Sequence, residues 1–449
     1  MPLLRHPRAH DALALLLTAA LLAAYVLASA WPLGFVLLLP WLHRLDQAKR
    51  LRQSAGLGLG LALAWQVGAL GWMPEAIARY TGLTLVSAWA LWLLAAPLTQ
   101  APLLLAAIAR HLARPMSAGA MAAATVAAWV AAEWALPRLL HDTLGHGLYP
   151  SATLRQGAEW VGTTGLTALL LMVNAAAALA WQRWRCEGHL SRPALALALG
   201  LPLAMTGGGQ WALASLPDPA RPAEHGAPLR VALVQANVAD YEALRQQQGT
   251  GAVVQQVLDT HEAMSMAAVR GHQADAVLWP ETVYPTTLGQ PKSPAGAAFD
   301  EAVLAFARQL GVPLVLGTFD RDARGEYNSA AFLAPQRGLL GHYRKTTLFP
   351  LTESTPAWLA QVPGLSPLPA WLGHWQAGDG ARVFPLWLAD GREVPVQALI
   401  CLDALDSAVA LAAAQQGAQA LLTLANDSWF GPDSPGPRLH LAAAAFRSI

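Results

Sequence analysis

Nearly half of this chain is a series of long apolar runs separated by short bunches of charge. That pattern constrains the fold more than any other, because a helix needs about 20 apolar residues to cross the hydrocarbon core of a bilayer. Seven runs fall in the first half, at 12–29, 31–43, 54–73, 83–108, 117–137, 161–181 and 193–213. The second is short, with Pro32 as a natural helix start. Residues 1–215 carry 14 Lys/Arg and 7 Asp/Glu, against 29 and 28 in all 449 residues. At 55% hydrophobic and 13% charged, the chain is too apolar for a disordered, coiled-coil or collagen-like protein. A net charge of +1 makes no electrostatic case for nucleic acid.

The basic residues orient the runs. Arg5 and Arg8 precede the first run. Loops after even-numbered runs hold Arg44, Lys49, Arg50 and Arg52, then Arg110 and Arg114, then Arg183, Arg185 and Arg192. Loops on the other side hold only Arg79, Arg138 and Arg155. The positive-inside rule puts the N-terminus in the cytoplasm, and seven crossings then put everything after about residue 214 outside. Trp31, Trp72, Trp160 and Trp211 fall near the outer boundary, as belt aromatics do. Glu133, inside an apolar run, is costly in lipid and is expected in the bundle interior or at the outer surface.

The expected organisation is a membrane domain at 1–215, a linker at 216–228 and a second domain at 229–449. The linker, Leu216-Pro-Asp-Pro-Ala-Arg-Pro-Ala-Glu-His-Gly-Ala-Pro228, is too rich in proline for helix or strand. Beyond it, short apolar runs at 229–238, 274–279, 313–319, 329–333, 394–402 and 418–425 read as buried strands. Helical patterns at 253–270, 296–310 and 405–416 alternate with them, which predicts an α/β domain.

Three strand ends carry reactive groups. Leu278-Trp-Pro-Glu281 ends in a carboxylate, His342-Tyr-Arg-Lys345 in an amine, and Ala398-Leu-Ile-Cys401-Leu-Asp403 in a thiol. Sites in open α/β sheets lie at the carboxyl ends of strands, so these three could converge. Singly, each also has a bland reading: a strand-end cap, a solvated amine, a small buried hydrophobe. Cys401 would lie outside the cytoplasm, and its only potential partner, Cys186, in a cytoplasmic loop. An unpaired cysteine there is a candidate reactive thiol. The 13 histidines show no metal-ligand spacing, and no cofactor or metal is expected. His141 and His146 read as interfacial loop residues, and Gly207-Gly-Gly209 lacks the lysine and helix of a phosphate loop. The Trp-rich segment 357–375 reads either as a lipid-touching flap or as a loop packed on its own domain.

In order, the second half holds Val231-Ala-Leu-Val-Gln-Ala-Asn237, Trp279-Pro-Glu281, Tyr327-Asn-Ser329, Tyr343-Arg-Lys345, Leu348-Phe-Pro350, Ile400-Cys401-Leu-Asp403, Asn426-Asp-Ser-Trp-Phe-Gly431 and His440. The first half holds Trp129-Val-Ala-Ala-Glu133-Trp134 and Val173-Asn174. The chain thereby resembles the apolipoprotein N-acyltransferases, membrane proteins of the carbon–nitrogen hydrolase (nitrilase) superfamily. The resemblance implies a multi-span helical membrane domain followed by an extracytoplasmic αββα domain of nitrilase type. It implies a catalytic triad of Glu281, Lys345 and Cys401, with Glu353 and Asp403 in support and Trp279, Tyr343 and Trp429 at the substrate. The implied reaction moves an acyl chain from a phospholipid donor, through a cysteine thioester, to the N-terminal amine of a lipoprotein at the outer face of a bacterial inner membrane. Pro350-Leu-Thr-Glu353 stands where the family usually has Pro-Phe-Gly-Glu, and Cys401-Leu-Asp403 where it has Cys-Tyr-Glu. Two alternatives stay open: a conjugal-transfer or envelope protein of the same architecture, and a membrane-tethered amidase. The resemblance also implies further strands and a last membrane helix after the region of His440, so the second domain is expected to be incomplete at its C-terminus.

Overall fold

The computed structural model describes residues 7–136, 143–216, 228–238, 241–355, 373–431 and 433–449. The chain divides into two compact units, Met1–Leu216 with Asp433–Ile449, and Pro217–Pro432.

The first unit is helical: α1 (Pro7–Leu27), α2 (Leu39–Gln47), α3 (Leu51–Gly68), α4 (Met73–Thr81), α5 (Leu85–Leu94), α6 (Ala96–Thr99), α7 (Ala101–Leu112), α8 (Ala118–Ala135), α9 (Ala152–Arg155), α10 (Ala158–Glu187) and α11 (Arg192–Ser215). Among the described residues, α1, α8 and α10 are long and apolar enough to cross a membrane. The α3–α4 pair, bent by 68°, makes a fourth if taken as one broken span. The chain is a membrane protein.

Two of the seven apolar runs are not single helices, and proline is the reason. The run 31–43 is a 3-10 turn, Trp31–Phe35, followed by α2, with Pro32 and Pro40 each opening a new turn. The backbone groups freed between them are met by a buried side chain of α10. Asn174 accepts from Leu38 N at 2.9 Å and donates to Gly34 O at 2.8 Å. The run 83–108 is cut into α5, α6 and α7, with Pro97 and Pro102 near the starts of the last two.

Several buried charged groups inside this unit have protein partners. Glu133 is in the interior, taking Trp129 Nε1 at 2.9 Å and Leu144 N at 3.4 Å. Arg110 pairs in bidentate fashion with Asp46, at 2.7 and 3.0 Å. His146 is buried rather than at a loop surface, with Nδ1 accepting from Thr143 N and its ring edge-on to Phe446. His141 lies outside the described residues. Gly209 sits within α11, where a Cβ would come within 2.0 Å of the Thr153 carbonyl oxygen, so this glycine permits close packing of α11 on α9.

The second unit holds eight strands and four helices among the described residues. A five-stranded sheet runs β1 (Val231–Leu233), β2 (Ala276–Leu278), β3 (Leu314–Asp322), β4 (Gly325–Ala334), β5 (Gly338–Arg344). Its first three strands are parallel and the last two antiparallel. A three-stranded sheet, β6 (Phe384–Trp387), β7 (Glu393–Ile400) and β8 (Ala420–Leu424), has β7 central, antiparallel to β6 and parallel to β8. The helices are α12 (Tyr241–Gln248), α13 (Thr250–His272), α14 (Pro294–Leu310) and α15 (Ser407–Gln415).

Val254, Leu258, Val303, Phe306 and Leu310 pack from α13 and α14 onto Val277, Leu314, Leu316 and Leu333 of the large sheet. Phe332 of β4 and Phe384 of β6 stack at 4.2 Å between the sheets, and α15 lies along β7. The layers are therefore helix, sheet, sheet, helix. Strand β6 is an addition to the sequence reading, which had β5 only as the strand end that carries Lys345. Gly338 and Gly341 interrupt the apolar pattern of β5, and Pro385 sits on β6, which is an edge strand.

Candidate active site

Glu281 comes from the chain just past β2. Trp279 N still bonds Val315 O in the sheet manner, and Pro280 then ends the pairing. The next residue, Thr282, is held at φ +53°. This turn rests on Gly317 of β3, whose N–H donates to Pro280 O at 3.1 Å. A Cβ on Gly317 would meet Pro280 O at 2.3 Å, Thr282 N at 2.5 Å and the Glu281 Cα at 2.6 Å. Only glycine lets the carboxylate-bearing turn lie this close to the strand.

Lys345 follows β5 directly and is 1% exposed. Its backbone N–H donates to Asn328 O of β4 at 2.8 Å, and its carbonyl accepts from Gly378 N at 2.8 Å. The ammonium lies 2.8 Å from Glu353 Oε1 and 3.4 Å from Glu281 Oε1. Glu353 is fixed in turn by the Phe349 N–H, which donates to Oε2 at 2.7 Å, across a tight loop with Leu351 at φ +69°.

Cys401 is the first residue beyond the central strand β7 and opens a 3-10 turn, Cys401–Leu405. Its φ of +49° is left-handed backbone, which costs a non-glycine residue of order 1–3 kcal/mol and recurs where function demands a fixed geometry. The residue is buried, and the charges of Glu281, Lys345 and Glu353 all act on its thiol. Burial pushes the thiol up and Glu281 pushes it further, while Lys345 pulls the other way without prevailing. At neutral pH the group is a thiol that needs a base. For Lys345, burial alone would favour the neutral amine; Glu281, Cys401 and Glu353 outweigh it and hold the side chain as a cation.

Asp403 ties the cysteine turn to the lysine segment. Its Oδ1 accepts from Thr346 N at 3.1 Å and Thr347 N at 2.7 Å, and its Oδ2 from Tyr343 Oη at 2.9 Å and Ile400 N at 3.2 Å. Burial pushes this carboxyl up to about 6 even though these donors favour its charged form.

The residues expected at the substrate are placed unequally. Trp279 is in the core, its indole N–H on Ser265 Oγ at 2.9 Å and its ring against His261 and Phe306. Tyr343 is wholly buried, with its hydroxyl engaged by Asp403. Both were drawn from motif stretches whose neighbours bear the chemistry, and both instead pack the framework. Trp429 is half-buried and edge-on to Phe349, whose N–H holds Glu353. The segment expected to form a flap falls outside the described residues but for Gly373–Trp375.

Two asparagines given no role from the sequence contact the carboxylates. Asn328 donates from Nδ2 to Glu281 Oε1 at 2.7 Å and Glu353 Oε1 at 3.3 Å, and Asn426 donates its backbone N–H to Glu281 Oε2 at 3.0 Å. Among the described residues no cluster of His, Cys, Asp and Glu is arranged to hold a metal ion. A thiol, a carboxylate and an ammonium enclosed together can form, stabilise and break an acyl–sulfur bond.

Residues 230–449 match the carbon–nitrogen hydrolase family, and residues 14–176 match the apolipoprotein N-acyltransferase N-terminal domain. The chain belongs to the apolipoprotein N-acyltransferase family. An apolipoprotein N-acyltransferase of Bdellovibrio bacteriovorus is 28% identical over 315 residues, covering 65% of this chain and 53% of that one. The enzyme of that name from Brucella suis is 30% identical over 316 residues, 68% and 54% of the two chains. That of Geobacter metallireducens is 25% identical over 433 residues, 93% and 77%. The chain thus spans about half the length of the first two relatives. All three carry the acyltransferase name, and none of them supports the conjugal-transfer alternative. Among solved structures, an amidase from Nesterenkonia sp. is 19% identical with a TM-score of 0.33, covering 48% of this chain and 71% of that one.

Proposed function

We propose that the chain is a lipid-dependent N-acyltransferase that works through an acyl thioester on Cys401. The observation that carries this reading is the enclosure of a protonated thiol with Glu281 and the Lys345 cation, in a chain that bears both halves of the family. In the first half-reaction Glu281 takes the thiol proton, and Sγ attacks the ester carbonyl carbon of a phospholipid. The developing oxyanion is met by the Lys345 ammonium and by a backbone N–H following the cysteine. The intermediate collapses, and the alkoxide of the lysophospholipid leaves with the proton held by Glu281. In the second half-reaction the N-terminal amine of a lipoprotein attacks the thioester and Glu281 accepts its proton. The carbon–sulfur bond breaks, and Cys401 recovers its proton as the amide departs. The positive-inside distribution of Lys and Arg supports a periplasmic position for this unit in a bacterial inner membrane, where both substrates are available.

The test is intact-mass analysis after incubation with phospholipid vesicles. The parent and Cys186→Ala should gain the mass of an acyl group, and Cys401→Ala should not. A parent that stays unacylated while Cys401 remains open to alkylation would overturn the reading.

A further inference from the structure

Two carboxylates share one buried ammonium at this site, so a second donor must hold the other. The distances divide the work. Lys345 Nζ is closer to Glu353, at 2.8 Å against 3.4 Å, while Asn328 Nδ2 is closer to Glu281, at 2.7 Å against 3.3 Å. The cation therefore serves mainly Glu353, and a neutral amide serves mainly Glu281. A carboxylate clamped by an ammonium is a poor base. One held by an amide keeps its orientation without a full ion pair.

Other contacts of Asn328 fit the same role. Its carbonyl accepts the backbone N–H of Lys345 at 2.8 Å, so one residue holds both carboxylates and the backbone of the lysine. Its side chain is buried, and its Oδ1 has no donor among the described residues. No partner on the oxygen sets the amide orientation, so the two carboxylates do. Glu281 Oε1 takes both the amide and the ammonium, whereas among the described residues Oε2 has only the Asn426 N–H. Oε2 thus keeps a lone pair for a proton.

We infer that Asn328 is a positioning residue that orients Glu281 and leaves Oε2 as the basic oxygen. This rests on Glu281 serving as base in the proposed reaction, so the test includes a readout that needs no acyl substrate. The rate of Cys401 alkylation by iodoacetamide is followed against pH in a Cys186→Ser background, beside acyl transfer from phospholipid. Asn328→Leu removes the donor at similar volume, and its acid limb should move up by about one pH unit, a roughly tenfold slower reaction on that limb. Asn328→Asp keeps the shape, adds a carboxylate beside two others, and should move the limb further. Acyl transfer should shift by the same amount in kcat, with KM for phospholipid little changed. Alkylation profiles of either folded variant that superimpose on the parent overturn the inference. A parent that alkylates with the expected limb but transfers no acyl group overturns the proposed function and leaves the role of Asn328 intact.

Discussion

Lys345 has almost no water of its own, and everything that keeps it charged is protein. Removing one partner of a buried ion pair leaves an uncompensated charge, typically at a cost of about 3–5 kcal/mol. Lys345→Met should therefore lower stability as well as rate, the latter by roughly 10²–10³-fold through the lost oxyanion donor. Thiol chemistry separates the charges. Glu281 raises the Cys401 thiol and Lys345 lowers it. Glu281→Gln should abolish the carboxylate-dependent limb of alkylation and move the thiol's own titration to lower pH, with acyl transfer down about 10²–10⁴-fold. Lys345→Met should move that titration to higher pH. A pH series of alkylation rates with Cys186 replaced checks both directions; shifts of the same sign would contradict the arrangement. Glu281, Lys345 and Cys401 were legible in the sequence because a charge or thiol at the end of an apolar strand stands out. Asn328 was not, because an asparagine within a strand has many roles and only the distances to two carboxylates single out this one. That Trp279 and Tyr343 are wholly buried was not legible either: a motif says which residues keep company, not which face of the strand each occupies.

At the scale of elements, the site is assembled from turns that the sheets hold under strain. Thr282, Leu351 and Cys401, all with positive φ, are the thiol residue or lie within two residues of Glu281 and Glu353. Gly317 is the seat of the first of these turns. Gly317→Ala would drive a methyl group into backbone atoms, a misfit worth about 1–3 kcal/mol. Because displacement of about 1 Å can lower catalysis roughly 10²-fold, acyl transfer should fall by that order in protein that still folds. Activity assays beside thermal unfolding check this, and a stable variant with parental kcat would remove Gly317 from the account. Helices α13, α14 and α15 and the apolar strands were readable from periodicity. The start of β5 and the whole of β6 were hidden because glycine and proline read as turns, and an edge strand tolerates them. In the first unit, apolarity marked the runs correctly but could not say whether each is one helix; Pro32, Pro40, Pro97 and Pro102 decide that through missing N–H groups.

For the whole molecule, the proposed orientation puts Cys186 in the cytoplasm and the thiol unit outside. Trp160 stacks on Trp211, and Trp181 on α10 is exposed beside Trp184. A reporter active only in the periplasm should be active when fused after Pro228 and silent after Cys186. The reverse pattern would place Cys401 in the cytoplasm and remove its access to lipoprotein substrates.

The broken run around Pro32 and Pro40 has its backbone completed by Asn174, 136 residues beyond Leu38 and 140 beyond Gly34. A ribosome adding ~5–20 residues per second takes roughly ten seconds to cover that stretch. Until α10 emerges, the Leu38 N–H and the Gly34 carbonyl have no protein partner from it, and bare backbone groups of this kind are not tolerated in hydrocarbon. The break at Pro32 and Pro40 is thus completed only once α10 is in place, which ties the shape of an early segment to a helix made much later.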